Sequence, residues 1–327
     1  MYSVEELQKI IEAEIISRSK QLLEQNPVEL YEPISYSLEM GGKRLRPVLL
    51  LLAYNLFSED VIPAVPAALA IEVFHNFTLL HDDIMDKADV RRNRQTVHVK
   101  FSENSAILSG DAMAFQSYKY LVECKSKRLV EALELFTKTA IEVCEGQQFD
   151  MDFENRMDVT VDEYLEMIRL KTAVLLACSL KAGAVLANAS AEVANQLYEF
   201  GINLGLSFQL QDDLLDTFGD QKTFGKKIGG DILANKKTFL LINALENASE
   251  AQNTELLNWI EKSVFHPDEK IEAVTGIYKQ LGIKQLAEEK VDFYFKKAVA
   301  CLEAVQLEDV IKQPLRELAN KMLIRRH

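Results

Sequence analysis

The chain has 327 residues, 48% of them hydrophobic, which is enough apolar material for one large domain or two ordinary ones with a substantial core. Fifty acidic against 37 basic residues give a formal charge of −13, which argues against a nucleic-acid binder, because such a protein needs a cationic face to displace counterions from phosphate. Thirteen glycines, seven prolines and no low-complexity tract are the profile of a helical protein.

In chain order, residues 1–20 (MYSVEELQKIIEAEIISRSK) interleave acids with apolar residues. That is an amphipathic helix, not a signal peptide with its basic start and unbroken apolar middle. After a break at Asn26-Pro27, the stretch GGKRLRP at 41–47 places paired glycines beside Lys43, Arg44 and Arg46. The glycines permit close backbone approach, and the cations can capture a phosphate. A break around 58–66 leads into an apolar run that ends in LLHDDIMD at 79–86, and Arg91, Arg92 and Arg94 follow within a break at 90–96. Residues 103–122 read as a helix apolar nearly all round, which a second subunit would bury, so a homodimer is expected. Leu129, Leu133, Phe136, Ala140 and Val143 recur at helical spacing. A break at 156–160 precedes a long apolar helix over 160–188. The motif FQLQDDLLD at 208–216 repeats the acid pattern, followed by a break at 218–230 carrying Lys222, Lys226 and Lys227, and a last break at His266-Pro267.

None of these breaks is long or polar enough to be an interdomain linker. The reading is all-α: roughly a dozen helices in a single large antiparallel bundle, one domain over residues 1–327. Apolar runs such as 48–52 and 172–180 fall short of the roughly 20 residues a membrane span requires, so no span is expected. Cys124, Cys144, Cys178 and Cys301 form no CxxC pair, which suggests neither zinc nor disulfides and fits a reducing, cytoplasmic setting.

On a helix, residues four apart are neighbours, so Asp82 and Asp86 converge on one face, and Asp212 and Asp216 do the same. Asp83 and Asp213 lie about 100° off that line. Like charges at this spacing repel slightly, a cost that makes sense if a divalent cation sits between them. Oxygen-only ligation points to Mg²⁺, with Mn²⁺ a possible substitute, and such ions share their coordination with phosphate oxygens. Taken alone, one triplet is as readily a solvated helix end, and GGKRLRP a solvated turn. Two matched acid clusters, each followed by cations, describe a site for a metal-bridged anion such as diphosphate, and the upstream cluster describes a second, cation-held anion.

These residues together resemble the all-trans isoprenyl diphosphate synthases, the head-to-tail polyprenyl transferases. The likeness spans nearly the whole chain: GGKRLRP at 41–47, HDDIMDKADVRRNRQTVH at 81–98, Lys171-Thr172, FQLQDDLLD at 208–216, GKKIGGD at 225–231, and Asn235-Lys236 occur in the family's order and approximate spacing. The resemblance implies an isoprenoid-synthase bundle with a deep central cavity. It implies that the protein condenses isopentenyl diphosphate with an allylic diphosphate. Asp82, Asp86 and Asp212 would bind three Mg²⁺ ions, with Asp216 supporting them through water. Arg91, Lys171, Lys226 and Lys236 would contact the allylic diphosphate, and Lys43, Arg46, His75 and Arg92 that of isopentenyl diphosphate. Thr172 and Gln209 would steady the carbocation at the allylic C1, whereas His81 and His98 support structure.

The growing hydrocarbon would descend beside the helix before Asp82 at about 1.5 Å per residue. Thr78 is small enough to let it pass, Phe77 narrows the tunnel, and Phe74 lies about 12 Å below Asp82. In the family one aromatic at the fifth position before the motif goes with short products. The first motif here also lacks the two-residue insertion of bacterial farnesyl and geranylgeranyl synthases and looks closer to the archaeal geranylgeranyl type. A C20 product is expected, with C15 next. Two alternatives fit less well. A class I terpene cyclase would leave GGKRLRP and Arg92 without a role, and a non-catalytic partner subunit would be expected to lose aspartates that are intact here. A helical interaction protein with incidental acids is set aside by the ordered basic motifs.

Overall fold

The computed structural model describes residues 1–219 and 228–323. Among these the chain is all-α, as its periodicity predicts: sixteen α-helices, one π-helical segment, and a single two-stranded ribbon. Helix starts follow local chemistry. Ser3 caps α1 (Val4–Leu23) in a capping box with Glu6, and Thr160 caps α8 (Val161–Ile168) in another with Glu163, so orphan backbone donors at each start are satisfied by side chains.

The chain divides into two compact units. The first comprises Met1–Thr137, Cys178–Leu197 and Leu307–Leu315. Its helices include α1, α2 (Val28–Leu38), α3 (Leu45–Asn55), α4 (Val65–Met85), the short α5 (Val97–Lys100) and α6 (Glu103–Leu121). Every residue from Val48 to Ala53 in α3 is fully buried, which accounts for the unbroken apolar run there. Pro47 lies inside the first turn of α3 and not in the preceding break, a position where its missing N–H costs nothing.

Helix α4 with the 3₁₀ turn before it, Ile62–Met85, is long and apolar enough to cross a membrane by length and composition, contrary to the expectation from shorter runs. Its apolar window is 61% buried inside the protein, packed by α3 and α6, and burial accounts for the hydropathy. The predicted break at 90–96 contains a ribbon that alternation could not reveal, since each strand has two residues. Val90–Arg91 pairs antiparallel with Arg94–Gln95, and Arg92 and Asn93 make the turn with φ of 52° and 61°. Two consecutive left-handed residues are what a tight I′ hairpin needs.

The second unit comprises Lys138–Ala177, Tyr198–Gln306 and Arg316–His327. Long helices α7 (Leu129–Glu154) and α10 (Ala191–Phe218) enter it, and α8 continues through a π segment, Arg169–Ala173, into α9 (Val174–Leu186). The expected helix over 160–188 is therefore one rod with a widened turn at Lys171 and Thr172. Gly146 of α7 lies against the backbone of Leu170 and Lys171, where a Cβ would collide, so glycine lets α7 approach that turn. The sequence gives no breaker for the gap between α6 and α7, where VECKSKR contains neither glycine nor proline.

Candidate active site

Two groups of polar side chains, one in each unit, carry the candidate site residues. In the first unit α4 supplies both His75 and the first acid motif. Asp86 caps α4 and its N–H bonds the Asp82 carbonyl at 2.8 Å, so the four-residue spacing keeps both on one face. Asp83, which the sequence leaves without a role, is buried and accepts Arg91 Nε on both oxygens at 2.8 and 2.9 Å. Burial pushes its carboxyl up and Arg91 opposes that shift. Arg91 also lies 3.6 Å from Asp82, so Asp83 holds the cation beside the first residue of the motif.

The cations predicted to hold the second anion gather on the same unit. Arg46 and His75 are hydrogen-bonded at 3.0 Å between NH1 and Nε2. Burial, and then the neighbouring arginines 46, 92, 91 and 44, drive His75 well below the usual histidine range. The ring is neutral and accepts from Arg46, which leaves Nδ1–H as a donor. Burial pushes Arg46 down to about 10, still cationic at neutral pH, and its Nε–H has no acceptor among the described residues. Arg92 donates to the Gly41 carbonyl and lies so close to Gly42 that a Cβ there would meet its guanidinium at 2.8 Å. Gly42 also has φ of 133°, so both close approach and backbone conformation require glycine. Lys43 is exposed, and its carbonyl accepts from Gln8 at 3.0 Å.

Beneath this cluster sits a pair that the sequence does not disclose. Arg44, left-handed at φ 50°, donates to Glu72 at 2.6 Å and to the Leu38 carbonyl at 2.7 Å. Asn76 adds a bond to the same Glu72 oxygen at 3.0 Å. On the same helix Phe77 packs on His81 and Phe74, and Phe74 packs on Phe136, with centroids 4.8, 5.4 and 5.2 Å apart. Thr78 donates its hydroxyl to the His75 carbonyl at 2.8 Å. His81 lies against Gly110 and is 3.2 Å from the Ile107 carbonyl.

In the second unit Lys171 and Lys236 share one carboxylate. Asp150 of α7 accepts from Lys171 Nζ at 2.6 Å and lies 3.9 Å from Lys236 Nζ. Lys236 and Lys171 hold it low despite the opposing effect of burial. Asp150 belongs to GQQFDMDFE, a stretch with no spacing that singles it out. Thr172 donates to Gln209 Oε1 at 3.1 Å, Gln209 Nε2 donates to Asp213 at 2.9 Å, and the buried Tyr164 hydroxyl donates to the other Asp213 oxygen. This chain fixes the Gln209 amide orientation. Asp216 accepts from the Asp231 N–H at 2.9 Å, and burial pushes both Asp213 and Asp231 upward. Lys226 lies outside the described residues.

Among the described residues no three metal-ligating side chains converge. Mg²⁺ keeps several waters and binds through one or two carboxylates together with substrate phosphates. The oxygen-only pair of Asp82 and Asp86 on one helical turn fits such an ion.

Residues 27–278 match the family model of the polyprenyl synthetases. The chain is 46% identical over 222 residues to a geranylgeranyl diphosphate synthase of Methanosarcina mazei, covering 67% of this chain and 68% of that protein. It is 40% identical over 252 residues to a geranylfarnesyl diphosphate synthase of Natronomonas pharaonis, covering 72% and 74%. A crystal structure of a geranylgeranyl pyrophosphate synthase superposes with a TM-score of 0.94 at 41% identity, covering all of both chains.

Proposed function

The chain belongs to the polyprenyl synthetase family and is an isoprenyl diphosphate synthase, a trans-prenyltransferase, and from that premise we propose the roles of its residues and the length of its product. We propose that Asp82, Asp86, Asp212 and Asp216 supply the Mg²⁺ ligands and that residues 1–327 act as one synthase domain, a reading supported by a family match that spans segments of both units. The observation that carries the assignment of anions is the spacing on α4. His75, with its Arg46 and Arg92 neighbours, lies seven residues before Asp82. Two turns of helix set the two on the same face with about 10 Å of rise between them. One diphosphate is held by bare cations and another through metal. A terpene cyclase needs no such second anion site.

Bound magnesium supplies charge that stabilises the departing diphosphate. Arg91, Lys171, Lys236 and Lys226 add their charge to that same leaving group as the allylic carbon–oxygen bond breaks. Lys43, Arg46, His75 and Arg92 hold isopentenyl diphosphate so that its double bond attacks the allylic cation. Holding both substrates turns an encounter into an intramolecular step. The new carbon–carbon bond then forms, and the departed diphosphate takes the proton that the product cation loses. Thr172 and Gln209, fixed by the Asp213–Tyr164 chain, present oriented dipoles to the cation. Labelled isopentenyl diphosphate, Mg²⁺ and C5, C10 or C15 allylic primers, with the products sized by chromatography, test the reading. Absence of product with every primer would refute it.

The product proposed is C20, supported by the depth of Phe74 and by the geranylgeranyl names of two relatives; the C25 name of another marks the longer alternative. Replacing Phe77 with Ser leaves Phe74 as the next obstacle, about 4.5 Å further down by helix rise. Phe77→Ser should therefore lengthen the products by about one isoprene unit, that rise being close to one unit of chain, and an unchanged profile would remove Phe77 as the floor.

A homodimer through α6 is also proposed. Phe115 is 77% and Leu108 60% exposed on that helix, with Ile107 beside them, a large apolar face for a monomer to leave in water. Sedimentation should give twice the chain mass and Phe115→Glu a monomer; a monomeric parent protein would end this proposal. Four free cysteines support a cytoplasmic setting.

A further inference from the structure

Lys270, in the helix Pro267–Gln280, is 1% exposed. Lysines are almost never this buried unless paired, because the ammonium loses its water. Among the described residues this one has no carboxylate within ion-pair reach. It donates to Asn235 Oδ1 at 2.6 Å and sits 4.4 Å over the ring of Phe265. The ring face recovers part of the lost solvation, and a charged donor makes a bond to an amide oxygen roughly twice as strong as a neutral one.

Asn235 is the residue that such a bond would immobilise. It is left-handed at φ 53°, just past the one-turn helix Gly230–Leu233, a conformation that glycine or asparagine accepts readily. Backbone conformation alone would be served by glycine, yet here the side chain is gripped at both ends. Its Nδ2 donates to the Ile260 carbonyl at 3.1 Å while its Oδ1 takes the Lys270 ammonium. The next residue is Lys236. Its N–H bonds the Asp231 carbonyl at 2.9 Å, and its ammonium lies 3.9 Å from Asp150. Lys270, Asn235, Lys236 and Asp231 line one small cavity with Thr217, the neighbour of Asp216.

We propose that Lys270 is a positioning residue: through Asn235 it fixes the turn that presents Lys236 to the allylic diphosphate. The proposal rests on the diphosphate-binding role given to Lys236 above. It explains why a cation is buried where an apolar side chain would pack at lower cost. Lys270 touches no substrate and acts only through the amide it holds.

The test uses the full-length protein and three variants: Lys270→Met, which keeps length and removes the donor; Asn235→Gly, which keeps the backbone conformation and removes the clamp; and the double variant. KM is measured separately for the allylic primer and for isopentenyl diphosphate, alongside the affinity for inorganic diphosphate with Mg²⁺ by calorimetry. Each single change should raise the allylic KM about tenfold, as the loss of a supporting contact behind a ligand does. The KM for isopentenyl diphosphate should stay within about twofold, since a uniform change in both would mean general damage. The double variant should be no worse than either single one, since both cut the same link. A lower melting temperature with both KM values unchanged, an equal rise in both, or an additive double variant would overturn the proposal. Should Lys270→Met fail to fold, Asn235→Gly decides alone. An inactive parent protein would defeat the functional reading instead, and the diphosphate affinities of the variants would still judge Lys270.

Discussion

Asp82→Asn and Asp212→Asn should each lower turnover by roughly 10²–10³-fold or more, the loss seen when one preorganised stabiliser of developing charge is removed. Asparagine keeps the shape and removes the charge that a hard cation requires. For Asp82 the stability change should be small. Its side chain is 19% exposed, and its neighbour four residues on is Asp86. Removing one of two like charges at that spacing relieves about 0.2–0.5 kcal/mol of repulsion, which offsets part of the lost 3.6 Å contact with Arg91. The signature is thus an enzyme as stable as its parent but nearly inactive, read by single-turnover product formation and by thermal melting. Near-normal condensation by either variant would dismantle the metal-held half of the site.

The second large effect is on stability. Arg44 and Glu72 have side chains only 4% and 3% exposed, and cutting one partner out of a buried pair leaves the other charge unpaired at a cost of about 3–5 kcal/mol. Arg44→Met and Glu72→Gln should each lose about that much in urea unfolding. The double change Arg44→Met with Glu72→Met should recover part of the loss, because no stranded charge remains. Glu72 also has its field on the binding cations, holding Arg46 and Arg92 more basic against their burial. A loss below about 1 kcal/mol in either single variant would mean that the pair is solvated in solution, since exposed pairs are worth no more than that.

What the sequence discloses and what it hides divide along the range of the interactions. Helices, caps and the convergence of Asp82 with Asp86 depend on residues within one or two turns, and periodicity and spacing capture them. Arg44 sits in the same heptapeptide as Lys43 and Arg46 and reads as one more surface cation. Only its contact with Glu72, 28 residues away, reveals a buried strut. Asp150 is equally silent, because its partners Lys171 and Lys236 meet it through tertiary packing. Tyr164 becomes meaningful only when α8 brings its hydroxyl to Asp213, 49 residues on. The gap between α6 and α7 is legible only from where the two apolar patterns end and begin, since VECKSKR carries no local breaker. The ribbon at 90–95 was too short for alternation to register.

That ribbon is also a mechanical coupling. Arg91 and Arg92 are adjacent in the chain, yet one reaches the acid motif at Asp83 and the other the Gly41 carbonyl. A single rigid peptide therefore joins the two handholds like the beam of a balance. Displacing the hairpin tip would strain both contacts together.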